Sequence, residues 1–190
     1  MKLIAIAAAS VVLCMAGAAQ AQMAGYSTAG RAYGEVGYTG LKISGSRADV
    51  QPGAIRGMLG YNFHPNFAVE GMLGFGVVKD DKDVTVGTTR VNVEGNVDYM
   101  YGLYLTPKAM LGPNFEVYGR LGYADIHLKN SATSGFFQSS GTKSGDDWSY
   151  GIGGNWHFSP TTYVGLDWMQ YYDKNSTKIE GVTLGLGLRF

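Results

Sequence analysis

The sequence predicts an all-β fold, an eight-stranded antiparallel up-and-down β-barrel that spans a membrane. Three observations predict it: apolar side chains recur at every second position in successive segments, the connections between segments alternate between short and long, and the chain opens with an export signal. After that signal, no apolar run approaches the ~20 residues that a membrane-spanning helix requires. The period of two therefore decides the fold class.

Residues 1–21 are predicted to be a cleaved signal peptide. Lys2 precedes a long apolar stretch, and Ala19-Gln20-Ala21 places small residues at the two positions that signal peptidase recognises. We therefore expect one domain over residues 22–190. The single cysteine, Cys14, lies within the signal, so the mature chain is expected to have neither a disulfide nor a thiolate metal ligand.

The C-terminal segment shows the strand pattern most clearly. Its large apolar residues alternate with small or polar ones, and successive side chains of a strand face opposite sides. The apolar face consists of Val182, Leu184, Leu186, Leu188 and Phe190. The other face includes Gly185 and Gly187, which offer little for a core to pack against, so the apolar face is predicted to contact lipid.

Seven further segments repeat this period, which gives eight strands in all. Their outward faces contain Val36 and Tyr38, Leu59 and Tyr61, Leu73 and Phe75, Tyr101 and Leu103, Leu121 and Tyr123, Ile152 and Trp156, and Leu166 and Trp168. An antiparallel sheet in hydrocarbon must close on itself, because an unpaired strand edge is too costly there. Inward glycines are expected, because the interior of an eight-stranded barrel is just filled by side chains.

The connections differ in length and composition at the two ends of the predicted barrel. Short turns are predicted at residues 64–66, 106–114 and 159–162, and they hold four of the five prolines. Longer polar connections are predicted at residues 42–52, 79–91 and 127–146, with a shorter one at 173–178. Outer-membrane barrels have short periplasmic turns and longer extracellular loops. Aromatic residues near both strand ends are expected to form two interfacial girdles.

The glycine-rich strands, the strand-turn-strand run at residues 153–168 and the ending Gly187-Leu188-Arg189-Phe190 carry a family resemblance. The sequence resembles the small outer-membrane barrels related to the transmembrane domain of outer-membrane protein A and to outer-membrane protein X, over essentially the whole mature chain. The resemblance implies a monomer in the bacterial outer membrane, in contact with its lipids. Leu186, Leu188 and Phe190 resemble the C-terminal signal that the barrel assembly machinery recognises during biogenesis.

Charged residues on the predicted inward faces are the strongest candidates for a functional site. Six fall in the middle of their strands and form a predicted lumen charge network: Glu35, Arg56, Glu70, Asp98, Arg120 and Asp167. Arg189 and His157 lie nearer the periplasmic rim. Charges in a narrow lumen must be paired and hydrogen-bonded, so the favoured interpretation is a rigid salt-bridge plug. The alternative is a narrow, gated ion-conducting pore through the same residues.

An outer-membrane lipid-modifying enzyme is the least favoured function class. His157-Phe158-Ser159 matches the His-x-Ser pair of lipid A deacylases, but His157 has inward parity, Ser159 lies at a turn, and the sequence places no acid to orient the imidazole. His64 and His127 lie elsewhere, so the histidines predict no metal site. We therefore expect no catalytic residues, no cofactor and no metal.

The favoured function is a structural or surface-interaction role of adhesion type, exerted through the extracellular loops. Phe136 and Phe137 form an aromatic pair within a polar connection and are a possible contact for an unknown extracellular ligand. Without Lys2, the chain has 14 basic and 15 acidic residues, a net charge of −1. Such a balance gives no attraction to nucleic acid.

Overall fold

The structure is a computed structural model that describes residues 29–44, 49–78, 80–86, 89–134, 137–174 and 177–190. Ten strands form one sheet. They are β1 (Ala32–Ser44), β2 (Asp49–Val50), β3 (Gly53–His64), β4 (Phe67–Val78), β5 (Asp80–Val86), β6 (Thr89–Met110), β7 (Phe115–Ser134), β8 (Phe137–His157), β9 (Thr162–Lys174) and β10 (Thr177–Arg189). Within these ranges no helix is long and apolar enough to cross a membrane.

Eight of these strands close into a barrel, which confirms the predicted fold class. Each of β1, β3, β4, β6, β7, β8 and β9 pairs antiparallel with the next of the series, and β10 returns to pair with β1. The two remaining strands are short additions at the extracellular end: β2 pairs with the end of β1, and β5 pairs with the start of β6.

The strand register sets the tilt of the barrel. Following the paired residues once around the barrel from Ala32 leads back to β1 at Lys42, a stagger of ten residues. For eight strands, this stagger corresponds to a tilt of about 40° from the barrel axis. Because of the tilt, residues paired across neighbouring strands lie at different heights, and this determines which inward side chains meet.

The two faces of the wall are separated as the alternation predicts. Outward apolar residues are exposed to the membrane, and inward residues are buried. The exposed aromatic residues gather at two levels. The lower girdle contains Phe63, Phe115, Trp156, Phe158 and Phe190, and the upper girdle contains Tyr38, Phe75, Tyr99, Tyr123 and Trp148.

Three predicted connections differ from the structure. The turn predicted at residues 106–114 is shorter, because β6 continues to Met110 and only residues 111–114 separate it from β7. The connections predicted at residues 79–91 and 127–146 are largely strand, paired as β5 with β6 and as β7 with β8. Backbone pairing extends these hairpins beyond the membrane even where the sequence is polar and rich in Gly and Ser, a composition that predicts loops.

Candidate functional site

Glycines make room for the charged side chains in the lumen. A Cβ atom on Gly185 would lie 3.0 Å from Glu35 Oε1, and one on Gly165 would lie 3.2 Å from Glu35 Oε2. A Cβ on Gly153 would come within 2.6 Å of both Asp167 and Tyr118. The glycine-rich inward faces of β8, β9 and β10 therefore leave a space that acidic and aromatic side chains from other strands fill.

Arg56 is one of two cations at the centre of the lumen. Its guanidinium donates to both carboxylate oxygens of Asp167, at 2.9 and 2.5 Å, and to Glu35 at 3.2 Å. It also donates to the Tyr171 hydroxyl at 3.1 Å. Arg56 is 1% exposed, so these partners replace its hydration almost completely.

Arg120 is the second central cation, and it shares Asp167 with Arg56. Its Nε lies 2.5 Å from Glu70 Oε2, and its Nη1 lies 2.6 Å from Asp167 Oδ2. The guanidinium also lies over the Tyr118 ring, 4.4 Å from its centroid. Asp167 thus connects the two arginines, and the structure brings together five of the six residues expected in the lumen network.

The sixth residue, Asp98, lies apart from the central charges, and the expectation that it sits at mid-barrel was wrong. It is half-buried near a register shift between Val97 and Tyr99, and Met100 separates it from the rest of β6 on the inward face. The strand tilt raises this part of β6 toward the extracellular mouth. Position along the strand alone does not give height in a tilted barrel.

A second charged layer lies at the periplasmic end of the lumen, around Glu116. Its carboxylate accepts from Arg189 Nη2 at 2.8 Å and from Asn155 Nδ2 at 3.0 Å, and lies 3.6 Å from Lys108 Nζ. His157 Nε2 lies 2.8 Å from Arg189 Nη2. Lys108 was not among the predicted lumen residues because it lies in a predicted turn, and Glu116 was not among them although the alternation gives it an inward direction.

Above the central charges, the lumen holds a cluster of buried apolar side chains together with the uncharged polar residues Thr39, Ser149, Gln170 and Thr183. Four buried methionines, here called the methionine collar, belong to this cluster: Met58, Met72, Met100 and Met169. Met58 extends the cluster down beside Arg56. The four methionines pack with Leu41, Ala54, Tyr104, Ala124, Ile126, Tyr171 and Ile179. The Tyr104 hydroxyl lies 3.1 Å from Ser149 Oγ, so its polar end is satisfied within this layer.

At the extracellular mouth, Asp147 holds the end of β9. Its carboxylate accepts from the Asp173 amide at 3.0 Å and lies 3.1 Å from Lys174 Nζ. Lys174 lies beyond the upper girdle and is exposed to water, where hydrogen bonding to Asp147 raises its pKa. This contact ties β8 to β9 above the membrane.

The structure does not assemble the His157–Ser159 pair that an acyl transfer would need. His157 points into the lumen against Arg189, whereas the Ser159 hydroxyl accepts from the amides of Thr161 and Thr162 within its turn. Among the residues that the structure describes, no three His, Cys, Asp or Glu side chains are placed to hold a metal ion.

The remaining expected residues lie at the ends of the chain and in the longest hairpin. Leu186, Leu188 and Phe190 face outward and are exposed to the membrane. Residues 1–21 and Phe136 lie outside the described residues, and Phe137 begins β8. The expected assembly signal and the expected loop contact therefore stay predictions.

Comparison with known proteins gives one family and several related folds. Residues 7–190 match the family described as outer membrane protein beta-barrel domain. Ail, the attachment invasion locus protein of Yersinia pestis, solved in complex with the heparin analogue sucrose octasulfate, is 18% identical, with a TM-score of 0.60 over 85% of this chain and 99% of Ail.

Two other solved barrels have the same architecture. OprG of Pseudomonas aeruginosa is 14% identical, with a TM-score of 0.57 over 86% of this chain and 97% of OprG. Neisserial surface protein A is 15% identical, with a TM-score of 0.51 over 83% of this chain and 95% of that protein. A search of curated protein sequences gives no match. At these identities, the solved structures show the fold alone.

Proposed function

Since the chain belongs to the family of outer membrane protein beta-barrel domains, we propose that it is a non-catalytic surface protein of the bacterial outer membrane. In this proposal, the barrel is a rigid monomeric anchor, and the hairpins above it contact an extracellular ligand in an adhesion-type role. The observation that carries the proposal is the combination of a filled lumen with strands that extend well beyond the membrane.

The filling of the lumen favours an anchor over a pore. The central ion pairs occupy the middle of the lumen, and the methionine collar packs beside and above them. An ion passing these closely packed, buried side chains would lose most of its hydration, which is unfavourable. A packed lumen of this kind also stiffens the barrel, because the charged layer connects strands β1, β3, β4, β7 and β9.

The hairpins supply the surface that an adhesion-type role needs. β6 begins ten residues before Tyr99 of the upper girdle, and β7 continues eleven residues beyond Tyr123. At about 3.3 Å per residue, each extension is about 30 Å long. Pairing continues to Asn92 with Thr133 and to Ser134 with Phe137, so these hairpins present an ordered sheet outside the membrane.

The relationship with Ail supports the proposal at the level of architecture. Ail is an attachment invasion locus protein, and its barrel has the same overall fold as this one. A barrel of this size can therefore serve as the scaffold of an attachment protein. The ligand of this chain is set by its own hairpins.

Shortening one hairpin tests the proposed role. Leu128 pairs with Lys143, so residues 129–142 can be replaced by Asn-Gly, which favours a tight two-residue hairpin turn. The variant is expected to keep the heat-dependent gel shift of a folded barrel and to lose adherence of expressing bacteria to cultured epithelial monolayers. Leu59→Ile, a change on the lipid-facing wall, is the matched control and should adhere normally. Full adherence of the shortened variant would contradict the proposal.

A narrow pore is the second candidate, and one observation favours it. In the periplasmic layer, His157 Nδ1, Asn155 Oδ1 and the Tyr163 hydroxyl are buried without a hydrogen-bond partner in the protein. Buried polar groups of this kind are usually hydrated, so the lower lumen suits water. Planar-bilayer recording of the refolded protein separates the candidates: silence supports the anchor, and reproducible unitary steps support the pore.

A further inference from the structure

The outward wall of β6, β7 and β8 carries a polar patch at the level of the upper girdle. Asp125 on β7 pairs directly with Asp146 on β8, and Tyr101 on β6 pairs with Asp125 from the other side. At the next outward-facing pair below, Tyr123 faces Trp148. We call the following residues the headgroup patch: Tyr101, Tyr123, Asp125, His127, Asp146 and Trp148.

Two acidic residues directly opposite each other on one face of a sheet repel one another. The opposite side of the same barrel avoids this arrangement. There, outward-facing Glu180 pairs with Lys42 across the β10–β1 seam, and its carboxylate lies 2.6 Å from Lys178 Nζ. The acids of the headgroup patch instead face each other, and the Lys174 ammonium, which donates to the Asp146 carbonyl oxygen at 2.8 Å, lies beside them.

The neighbouring side chains orient the two acids without using all their acceptor capacity. Tyr123 donates its hydroxyl to Asp146, and His127 Nδ1 lies 2.9 Å from Asp125 Oδ1. His127 is itself held by stacking on Tyr99, with ring centroids 4.2 Å apart. Tyr101 also hydrogen-bonds to Asp125, which is half-buried, whereas Asp146 is exposed. Because an ionised carboxylate has about four acceptor sites, Asp146 has the greater capacity to accept further hydrogen bonds.

The aromatic rings of the patch are open to a ligand. Trp148 is 65% exposed, and Tyr101 is 45% exposed. Both share the outward face with Leu103 and Leu121, which belong to the lipid-facing wall. The patch is therefore continuous with the membrane surface of the barrel, and the layer that meets it is the headgroup layer of the outer leaflet.

We propose that the headgroup patch binds the sugar headgroup of an outer-leaflet glycolipid. Sugar hydroxyls donate hydrogen bonds to Asp125 and Asp146, and the apolar face of a sugar ring packs on Trp148 and Tyr101. A neutral hydroxyl donor suits this site better than a bare anionic headgroup, because two carboxylates repel phosphate. This site is independent of any role of the hairpins.

Fluorescence of Trp148 tests the proposal in the full mature chain. Trp156→Phe and Trp168→Phe leave Trp148 as the only tryptophan. The protein is reconstituted in phosphatidylcholine vesicles that contain lipopolysaccharide with its core hexoses, lipid A without those sugars, or neither. We expect the sugar-bearing vesicles to protect Trp148 from acrylamide quenching, with lipid A giving no more protection than phosphatidylcholine alone.

The acids are tested by Asp125→Asn with Asp146→Asn, and Glu180→Gln is the matched control at the same rim. In titrations with a soluble, neutral hexose oligosaccharide, the double variant is expected to bind about tenfold more weakly, with the control unchanged. Without glycolipid, the double variant should be at least as stable as the native protein, because a like-charge pair is removed; this comparison also verifies that it folds.

Three results would overturn the proposal. Equal protection by lipid A would assign the patch to the acyl and phosphate groups. Loss of protection on adding EDTA would assign it to a bridging divalent cation. Unchanged affinity in the folded double variant would remove the two acids from recognition.

Discussion

The two halves of the lumen differ in how much charge they hold. From the periplasmic rim to mid-barrel, the interior is a set of ion pairs around Arg56, Arg120 and Glu116. From mid-barrel to the extracellular mouth, the methionine collar and its apolar neighbours share the interior with the uncharged residues Thr39, Ser149, Gln170 and Thr183. Arg56 lies at the boundary, since it donates to Asp167 and also lies 3.4 Å from Met169 Sδ.

The difference separates two tasks within one barrel. Ion pairs with fixed geometry connect particular strands, and losing one partner leaves a buried charge behind. Methionine side chains are flexible and fill irregular space, so they seal a lumen without fixing its geometry. We therefore expect the ion pairs to control stability and the methionine collar to control permeability.

Removing Arg56 should have the largest effect on stability. Arg56→Ala leaves Asp167 and Glu35 buried with fewer partners, and breaking a buried pair costs about 3 kcal/mol. Urea unfolding in lipid vesicles measures the change. Conductance should stay at the native level, because the methionine collar remains.

Arg31 provides the control for this prediction. It is exposed just before β1, so Arg31→Ala should change the free energy of unfolding by less than about 0.5 kcal/mol. If Arg56→Ala shows channel conductance that the native protein lacks, the ion pairs, and not the methionine collar, block the passage of ions.

Removing a collar methionine should open the apolar half. Met100 covers Gly74, where a Cβ would lie 2.5 Å from Met100 Cε and 2.8 Å from its Cγ. Met100→Ala therefore leaves a cavity that Gly74 cannot fill, at a cost of about 2.5 kcal/mol. Bilayer recordings should show small unitary steps that the native protein lacks.

The neighbouring glycine supplies a rescue for the same experiment. Gly74→Ala in the Met100→Ala background puts a methyl group into the vacated space, and it should reduce the conductance and recover part of the stability. If Met100→Ala stays silent while its unfolding free energy falls as expected, the seal lies outside the collar.

The fold was predictable from the sequence because each barrel strand carries its own signal. The alternation in the 182–190 segment and the aromatic girdles are visible in the residues themselves. Closure of the sheet follows from a general rule, because an open strand edge is too costly in hydrocarbon. The hairpins above the membrane were not predictable in this way. Outside the membrane, no lipid selects an apolar face, so residues 127–146 carry loop-like composition although most of them pair as strands.

Within the lumen, the sequence predicts only whether a side chain points inward or outward. The alternation along each strand gave the inward direction of Glu35, Arg56, Glu70, Arg120 and Asp167. Which of these side chains meet depends on the stagger between strands. Asp98 was misplaced because its height follows from the ten-residue stagger, a property of the whole barrel. Lys108 was missed because its strand continues through Pro107, a residue that usually marks a turn.

The periplasmic charged layer should contribute less than the central one. Glu116→Gln removes the charge that Arg189 and Lys108 share, yet the amide oxygen of the glutamine can still accept from Arg189. We expect a loss of about 2 kcal/mol in urea unfolding. Asn155→Ala, which removes one hydrogen bond from an uncharged donor to Glu116, should cost about 1.5 kcal/mol. A larger loss for Glu116→Gln than for Arg56→Ala would place the main stabilising network at the rim.

Deleting Phe190, which lies outside the lumen, should reduce stability less than Arg56→Ala, Met100→Ala or Glu116→Gln. Phe190 lies on the lower girdle, 70% exposed to the membrane, and its amide donates to Ala32 at 3.0 Å. Its loss removes lipid-facing apolar area worth about 1.5 kcal/mol and leaves Arg189 with Glu116 in place. The deletion variant should therefore refold in detergent with a normal gel shift. In cells it should accumulate poorly in the outer membrane, since we propose that Leu186, Leu188 and Phe190 are recognised during assembly. Phe190→Leu keeps an apolar residue at this position, so it separates the loss of apolar area from the loss of the aromatic ring. Normal surface levels of the deletion variant would show that this end of the barrel serves only its lipid contact.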